Sequence, residues 1–232
     1  ILTYANLDNA DLSNTNLTGA SVLAVDLTKI KNKSLVGVNM DKASFSGSNL
    51  SGVNLSGTTL KGTNFYESNL TDVDFTSVKN LHFGNTFMKA NLTNSNFEGI
   101  DLSPKDEFTK IYKDKAELIN LSFWDLKLEF FPHHNMNAHL LSKKVIGNDL
   151  EIRFVFFNNF AYADLKNANL KNSILWFCVF EGSDLTNADL SGADARQVNL
   201  AGANLKNANI DGAILSVEDG TVLTCKNHPV CN

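Results

Sequence analysis

The chain has 232 residues, and its net charge of −5 with 19% charged side chains argues against a strongly basic nucleic-acid-binding protein. No segment reaches the roughly 18 consecutive apolar residues of a spanning helix, so we expect no membrane span. The chain opens at Ile1, without a basic segment followed by an apolar run, and we expect it to be a trimmed or processed piece.

A large apolar residue recurs every five positions from Leu2 onward, and a small residue stands two places before nearly every one of them. Ala5 precedes Leu7 in this way, and Ala163 precedes Leu165. Asp or Asn usually lies between the two. The runs of this repeat cover residues 2–27, 35–75, 87–102 and 160–215.

A period of five fits neither a helix, with 3.6 residues per turn, nor a flat strand, with a period of two. It fits a chain that turns a corner every five residues, with the small and the large residue pointing inwards. Four such sides make a coil of about 20 residues, and stacked coils would be spaced by about 4.8 Å, the distance between strands. We therefore predict an all-β fold, a four-sided parallel β-helix filled by stacked apolar columns.

The regular repeat is lost over residues 103–159, and the start of this segment has the features of a helix N-terminus. Ser103 suits an N-cap, Pro104 the first helical position, and Asp106 and Glu107 the first turn. Apolar residues then fall largely on one helical stripe. These features predict a helix over about 104–117.

Two interpretations fit the rest of this segment. Degenerate coils are favoured by apolar residues that keep the five-residue spacing, namely Leu121, Leu126, Phe131, Leu150 and Val155. Alternating apolar residues at 126–130 and 150–156 instead predict two strands of a hairpin or small sheet packed on the rod. We favour degenerate coils, so the excursion near 103–150 is predicted to be helical and irregular.

The same segment holds the candidate contact surface, because an excursion carries individual side chains that a regular rod does not. Its aromatic and histidine residues predict a protein-contact surface at Trp124, Phe130, Phe131, His133 and His134. The alternative is that the aromatic residues only cover the core where coils are irregular. The adjacent histidines lack the further ligands of a zinc site, and we expect no metal.

In the last run, Ala195 stands where a large apolar residue is expected, and Arg196 follows it. A coil of 20 residues places Ala195 between Leu175 and Leu215. It also places Arg196 next to Trp176. We therefore predict thin packing at Ala195 and a cation–π contact between Arg196 and Trp176.

The repeat ends before "SVEDGTVLTCKNHPVCN", and residues 218–232 are predicted to form a C-terminal cap or tail. Cys225 and Cys231 close a short loop there and are either a disulfide or two free thiols. A disulfide would favour a secreted or lumenal protein over a bacterial cytoplasmic one. Cys178 occupies an inward small position and is predicted to lie in the core.

The repeat, written "ADLKNANLKN" at 163–172 and "ADLSG" at 188–192, resembles the pattern A-(D/N)-L-x-x of the pentapeptide-repeat family. The resemblance covers about two thirds of the chain, and it implies a right-handed quadrilateral β-helix. The family's known roles include DNA-mimicking inhibitors or protectors of topoisomerases, secreted bacterial effectors, and lumenal plant or cyanobacterial proteins. The shared fold does not choose among them.

We divide the chain into repeat coils at 1–102, an irregular segment at 103–159, repeat coils at 160–217 and the cap at 218–232. No catalytic set or cofactor site is visible, so we expect a non-catalytic protein-interaction scaffold, a domain of a secreted bacterial effector being one form. The alternatives are a DNA-mimicking gyrase inhibitor or protector and a lumenal or periplasmic structural protein. Open ends of stacked coils also predict an end-to-end homodimer.

Overall fold

The computed structural model describes residues 1–105, 107–114, 138–216 and 222–224. The repeat forms a four-sided coil, and neighbouring coils pair in parallel. Ser34 pairs with Asn54, and Asn169 with Asp189, both 20 residues apart. The four-sided parallel β-helix predicted from the repeat is confirmed, and it is the right-handed quadrilateral β-helix typical of this repeat.

The corners explain the polar half of the repeat. Nearly every corner has a residue in the left-handed conformation, such as Gly57 with φ +68° or Asn167 with φ +56°, which Gly and Asn adopt at low cost. Where Asp or Asn precedes the central residue, its side chain accepts a hydrogen bond from the backbone N–H two positions on. Asn69 Oδ1, for example, accepts from the N–H of Thr71 at 3.1 Å.

Four columns of central side chains fill the interior, and we name the sides A to D in chain order within each coil. Side A leads into side B within a coil, and side D of one coil leads into side A of the next coil. The central residues of side A are Leu2, Val22, Phe45, Phe65, Phe87, Phe160, Phe180 and Leu200. Its phenylalanine rings stack, with centroids 5.3 Å apart for Phe65 and Phe87 and 4.8 Å apart for Phe160 and Phe180.

Short elements interrupt or extend the coils. Two 3-10 helices at Leu27–Lys29 and Lys31–Lys33 account for the three-residue slip. Near the end of the chain, β4 (Asp194–Ala195) pairs in parallel with β5 (Ile214–Ser216), and β5 pairs antiparallel with β6 (Val222–Thr224). The pairing of β6 back onto the last coil lies within the segment predicted to be the cap.

The irregular segment is an insertion between two coils. Phe87 and Phe160 are neighbours in the stack, with ring centroids 4.8 Å apart, and Thr86 pairs in parallel with Asn159. Leu102 therefore ends one coil, and Phe160 is the first central residue of the next. The described insertion is a three-stranded antiparallel sheet in the order β1-β3-β2, built from β1 (Glu107–Tyr112), β2 (Ala138–Ile146) and β3 (Asp149–Phe156).

Two predictions for this segment are wrong over the described residues. Residues 107–112 form a strand and not part of a helix, because all six pair with β3, from Glu107 with Val155 to Tyr112 with Leu150. An isolated helix of this length gains little in water, whereas a paired strand satisfies its backbone groups. Residues 149–156 form a sheet strand and not degenerate coils, as the alternating pattern indicated. The other proposed strand, 126–130, lies outside the described residues.

Candidate interaction surfaces

Two buried amides hold the insertion to the rod. Asn85 and Asn158 occupy small inward positions next to each other in the stack, and both are 0% exposed. Asn158 Oδ1 accepts from the Asn85 backbone N–H at 3.0 Å, and its Nδ2 donates to the carbonyl of Leu102 at 3.4 Å. Asn85 Oδ1 in turn accepts from the Thr63 N–H at 2.8 Å. These amides replace backbone pairing where the chain leaves and re-enters the coil.

The insertion sheet has one apolar face. Along β3, Leu150, Ile152 and Phe156 are buried, whereas Arg153 between them is exposed. This alternation is that of a sheet covered on one side. At the end of β2, next to the turn into β3, apolar side chains are exposed, with Val145 41% and Ile146 46% accessible. The described sheet therefore presents apolar residues at its tip.

An ion pair fixes the turns at that tip. Lys113, just after β1, bonds to Asp149 at the start of β3, and Asp149 also accepts from the backbone N–H of Asp114. The Lys113 ammonium and this N–H lower the pKa of Asp149. The pair joins the ends of neighbouring strands, so it orients the tip of the sheet.

A groove lies on the rod where side D turns into side A, next to the point where the insertion rejoins the coil. It has a volume of about 390 Å³ and is lined by Phe157, Phe177, Val179, Gln197 and Asn199. Sequence reasoning missed it. The signal was the stretch "ILWFCV" at 174–179, where all four outward positions are apolar instead of polar.

The predicted contact of Arg196 is confirmed. Its guanidinium carbon lies 4.4 Å from the centroid of the Trp176 ring. The same guanidinium donates to Asp194, from Nε at 2.8 Å and from Nη2 at 2.6 Å, which lowers the pKa of this carboxyl. Ala195 is 3% exposed and pairs with Leu215, as predicted.

Charge is distributed unevenly among the four sides. The outward positions of side C hold Lys171 among mostly acidic residues, which are Asp11, Asp74, Glu98, Asp189 and Asp211. On side B, lysines lie among the acidic residues and pair with some of them, as where Lys166 contacts Asp164 at 2.7 Å and Asp184 at 3.3 Å. Side A has a small net charge. Its outward positions hold three charged residues, of which Glu67 and Lys89 form an ion pair at 3.3 Å and Glu181 is the third.

Comparison with known protein families identifies the repeat. Eight copies of the family model for pentapeptide repeats match residues 2–31, 39–77, 163–200 and 178–216, which together make more than half of the chain. The chain belongs to the pentapeptide repeat family. Its insertion at 103–158 and its C-terminal end lie outside the matched pentapeptide repeats.

Solved structures similar to this pentapeptide repeat chain share low sequence identity with it. HetL, a pentapeptide repeat protein involved in heterocyst differentiation regulation from the cyanobacterium Nostoc sp. strain PCC 7120, is 20% identical over 96% of this chain and 93% of its own, with a TM-score of 0.44. QnrB1, a plasmid-mediated fluoroquinolone resistance protein, is 12% identical over 91% and 89%, with a TM-score of 0.34. Rfr23, from the cyanobacterium Cyanothece 51142, is 17% identical over 82% and 86%, with a TM-score of 0.23. The search of curated proteins gave no match.

The residues proposed from sequence as a contact surface, Trp124, Phe130, Phe131, His133 and His134, lie outside the described residues. So do Cys225 and Cys231. Cys178 is buried as predicted, and burial raises the pKa of its thiol.

Within the described part of the chain, neither a metal cluster nor a membrane-spanning helix is present. Among the residues that the structure describes, no group of three or more His, Cys, Asp or Glu side chains could hold a metal ion. Within the same residues, no helix is long and apolar enough to cross a membrane.

Proposed function

We propose that this pentapeptide repeat protein is a non-catalytic scaffold whose insertion, residues 103–158, carries the contact with a protein partner. The main observation behind this proposal is that the insertion adds a sheet but leaves the stacking of the coils unchanged. Phe87 and Phe160, on either side of the insertion, remain direct neighbours in the stack. Because the coils stack without this sheet, we attribute to the sheet a role other than holding the rod together, namely binding. The contact surface would combine the exposed tip of the sheet with Trp124, Phe130, Phe131, His133 and His134.

The spacing of the repeat allows the insertion to be deleted without changing the register of the coils. Joining residue 104 to Asn158 leaves Phe160 five positions after Leu102, the spacing of the repeat. Residue 104 would then stand at a left-handed corner, which Pro cannot adopt, so Pro104→Gly is included. We name this variant the coil-only variant; it lacks residues 105–157.

The experiment compares three proteins: the full chain, the coil-only variant and a full chain with Val145→Ser and Ile146→Ser. Proteins captured by the full chain are purified, and their direct binding to each form is measured by calorimetry. The proposal expects binding to the full chain, none to the coil-only variant, and weaker binding to the tip variant. Equal binding to the full chain and the coil-only variant would remove the insertion from the contact.

A second candidate function is modulation of a topoisomerase by DNA mimicry, and the acidic outward positions of side C favour it. Lys171 on that side and the paired lysines of side B weaken it, because a DNA mimic presents continuous negative charge. A gyrase supercoiling assay tests it. Unchanged supercoiling at micromolar protein would eliminate this function.

In our proposal, the oxidation state of the two C-terminal cysteines indicates the cellular compartment. A disulfide between Cys225 and Cys231 would favour a secreted effector domain or a lumenal or periplasmic structural protein. Two free thiols would favour the bacterial cytoplasm. Mass spectrometry of the alkylated protein, taken from its native source without reduction, distinguishes the two.

End-to-end pairing of two copies is a further proposal from the sequence. The central residues of the first coil, Leu2, Leu7, Leu12 and Leu17, are only partly buried in this chain. Covering them with a second copy or with a further segment of chain would bury apolar surface. Leu12→Glu should abolish any dimer made through this end.

A further inference from the structure

We infer that Tyr162 and Glu181 form a docking site on the rod for an arginine side chain of a protein partner. The guanidinium would lie against the Tyr162 ring and bond to the Glu181 carboxylate. The inference goes beyond the proposed scaffold function, because it uses no residue of the insertion and needs no contact at the tip of its sheet. It assigns a specific chemistry, the binding of a basic segment, to the surface of the coils.

A contact of this kind is already present within the chain on side D. The guanidinium carbon of Arg196 lies 4.4 Å from the centroid of the Trp176 ring, and its Nη2 donates to the Asp194 carboxylate at 2.6 Å. The ring attracts the cation through its negative face, and the carboxylate orients and neutralises it. The ring and the cation come from neighbouring coils.

A second contact of this kind lies where side A meets side B. The Lys89 ammonium is 5.2 Å from the centroid of the Tyr66 ring and donates to the Tyr66 hydroxyl at 2.9 Å. It also donates to the Glu67 carboxylate at 3.3 Å. Tyr66 and Glu67 belong to one coil and Lys89 to the next. An aromatic ring, a carboxylate and a cation therefore recur together on this rod.

Tyr162 and Glu181 provide the ring and the carboxylate without the cation. The Tyr162 hydroxyl bonds to Glu181 at 3.2 Å, and one side of the ring packs against Gly182, where an added Cβ would approach two ring atoms to 2.6 Å. These contacts hold the ring in place, yet Tyr162 remains 56% exposed. Over the described residues, neither Tyr162 nor Glu181 forms an ion pair or a cation–π contact.

The positions around the Tyr162 ring leave room for an incoming side chain. Gly182 and Gly202 occupy the same corner in the two coils that follow Tyr162, and both are exposed. Lys89 stands at this corner one coil before Tyr162, but its ammonium bonds to Tyr66 in the coil on its other side. The nearest cation along the corner is therefore engaged away from the Tyr162 ring.

The local charge favours a cation. Glu181 is exposed, and Asp164 and Asp184 lie on the adjoining side B in the same two coils. Lys166 pairs with both aspartates, at 2.7 Å and 3.3 Å, so three carboxylates stand beside one ammonium. This surplus of negative charge attracts a cationic group. Arginine suits the site because its planar guanidinium stacks on an aromatic ring and gives two parallel hydrogen bonds to a carboxylate.

An NMR titration of the isotope-labelled full chain tests the inference. The probe is a capped tripeptide, acetyl-glycyl-arginyl-glycine amide. The control peptide carries citrulline instead of arginine, which has nearly the same shape but no charge. The arginine peptide should shift the backbone amide signals of Glu181 and Gly182 in a saturable way, and the citrulline peptide should not.

Variants of the full chain separate this site from others on the rod. Tyr162→Asn and Glu181→Gln should each raise the dissociation constant of the arginine peptide about threefold or more. Tyr162→Asn retains the fold, because Asn adopts the left-handed conformation of this corner, φ +57°, more readily than Tyr. Tyr4→Asn is the matched control, since Tyr4 is an exposed tyrosine at the same corner with φ +55°, and it should leave binding unchanged.

Three results would overturn the inference. They are the absence of saturable shifts at Glu181 and Gly182 with the arginine peptide, equal shifts with the citrulline peptide, and an unchanged dissociation constant in both site variants. None of these results depends on the insertion, so failure of this inference is distinguishable from failure of the proposed contact at the sheet.

Discussion

At the scale of single residues, the inward small position of the repeat shows where sequence reasoning succeeded and failed. Ala, Ser or Thr at this position predicts a buried residue, and Cys178 follows that rule. Asn85 and Asn158 occupy the same position, but their amides bond to backbone groups of other coils. The five-residue frame places both amides at the inward position, but it does not predict their partners, because these depend on how the coils stack.

Removal of one buried amide should destabilise the protein. Asn158→Ala leaves the N–H of Asn85 and the carbonyl of Leu102 without this partner, at a cost of roughly 1–3 kcal/mol in free energy of unfolding. Ser95→Ala is the control, since the buried Ser95 hydroxyl has no hydrogen-bond partner among the described residues. Urea unfolding measures both. Equal effects of the two substitutions would contradict the anchoring role.

The pair formed by Asp194 and Arg196 predicts a pH dependence. The pKa of Asp194 is lowered below its ordinary value of 3.8 in the folded chain by Arg196. Protons therefore bind more readily to the unfolded chain, so the stabilisation is present above about pH 4 and is lost as pH falls through the folded pKa. Arg196→Ala should make the loss of stability between about pH 5 and pH 2 smaller. Urea unfolding at several pH values checks this, and parallel pH profiles would refute it.

At the scale of elements, the repeat predicted the sides of the coil wherever it is regular, whereas local sequence signals gave the wrong element inside the insertion. Ser103 and Pro104 have the features of a helix start, yet β1 pairs along its whole length with β3. The partner strand begins more than 30 residues later, so local propensity could not include it. The alternation in 150–156 was the better signal, because one face of β3 is buried.

The stacked phenylalanine column should respond strongly to truncation in the middle of the rod. Phe160 is 0% exposed and stacks between Phe87 and Phe180. Phe160→Ala should cost about 3–5 kcal/mol in free energy of unfolding. Leu205→Ala in the half-buried last coil should cost less, because the coil end can relax. Denaturant unfolding of both variants gives the comparison.

At the scale of the whole molecule, the rod is predictable and its contacts are not. A repeat of five residues encodes architecture, and the same architecture serves many functions. The features that distinguish this chain are departures from the repeat: the insertion, the groove beside it and the exposed ring of Tyr162. The sequence located the insertion, but the groove required knowledge of which outward residues meet at a corner.

The central claim is that the coil stack is continuous across the insertion. The coil-only variant, with residues 105–157 removed and Pro104→Gly, tests it most directly by thermal unfolding followed by circular dichroism. The account predicts one cooperative transition with β signal retained, at a melting temperature close to that of the full chain. A variant that is unfolded, or that melts in two separate steps for residues before and after the joint, would contradict a continuous rod.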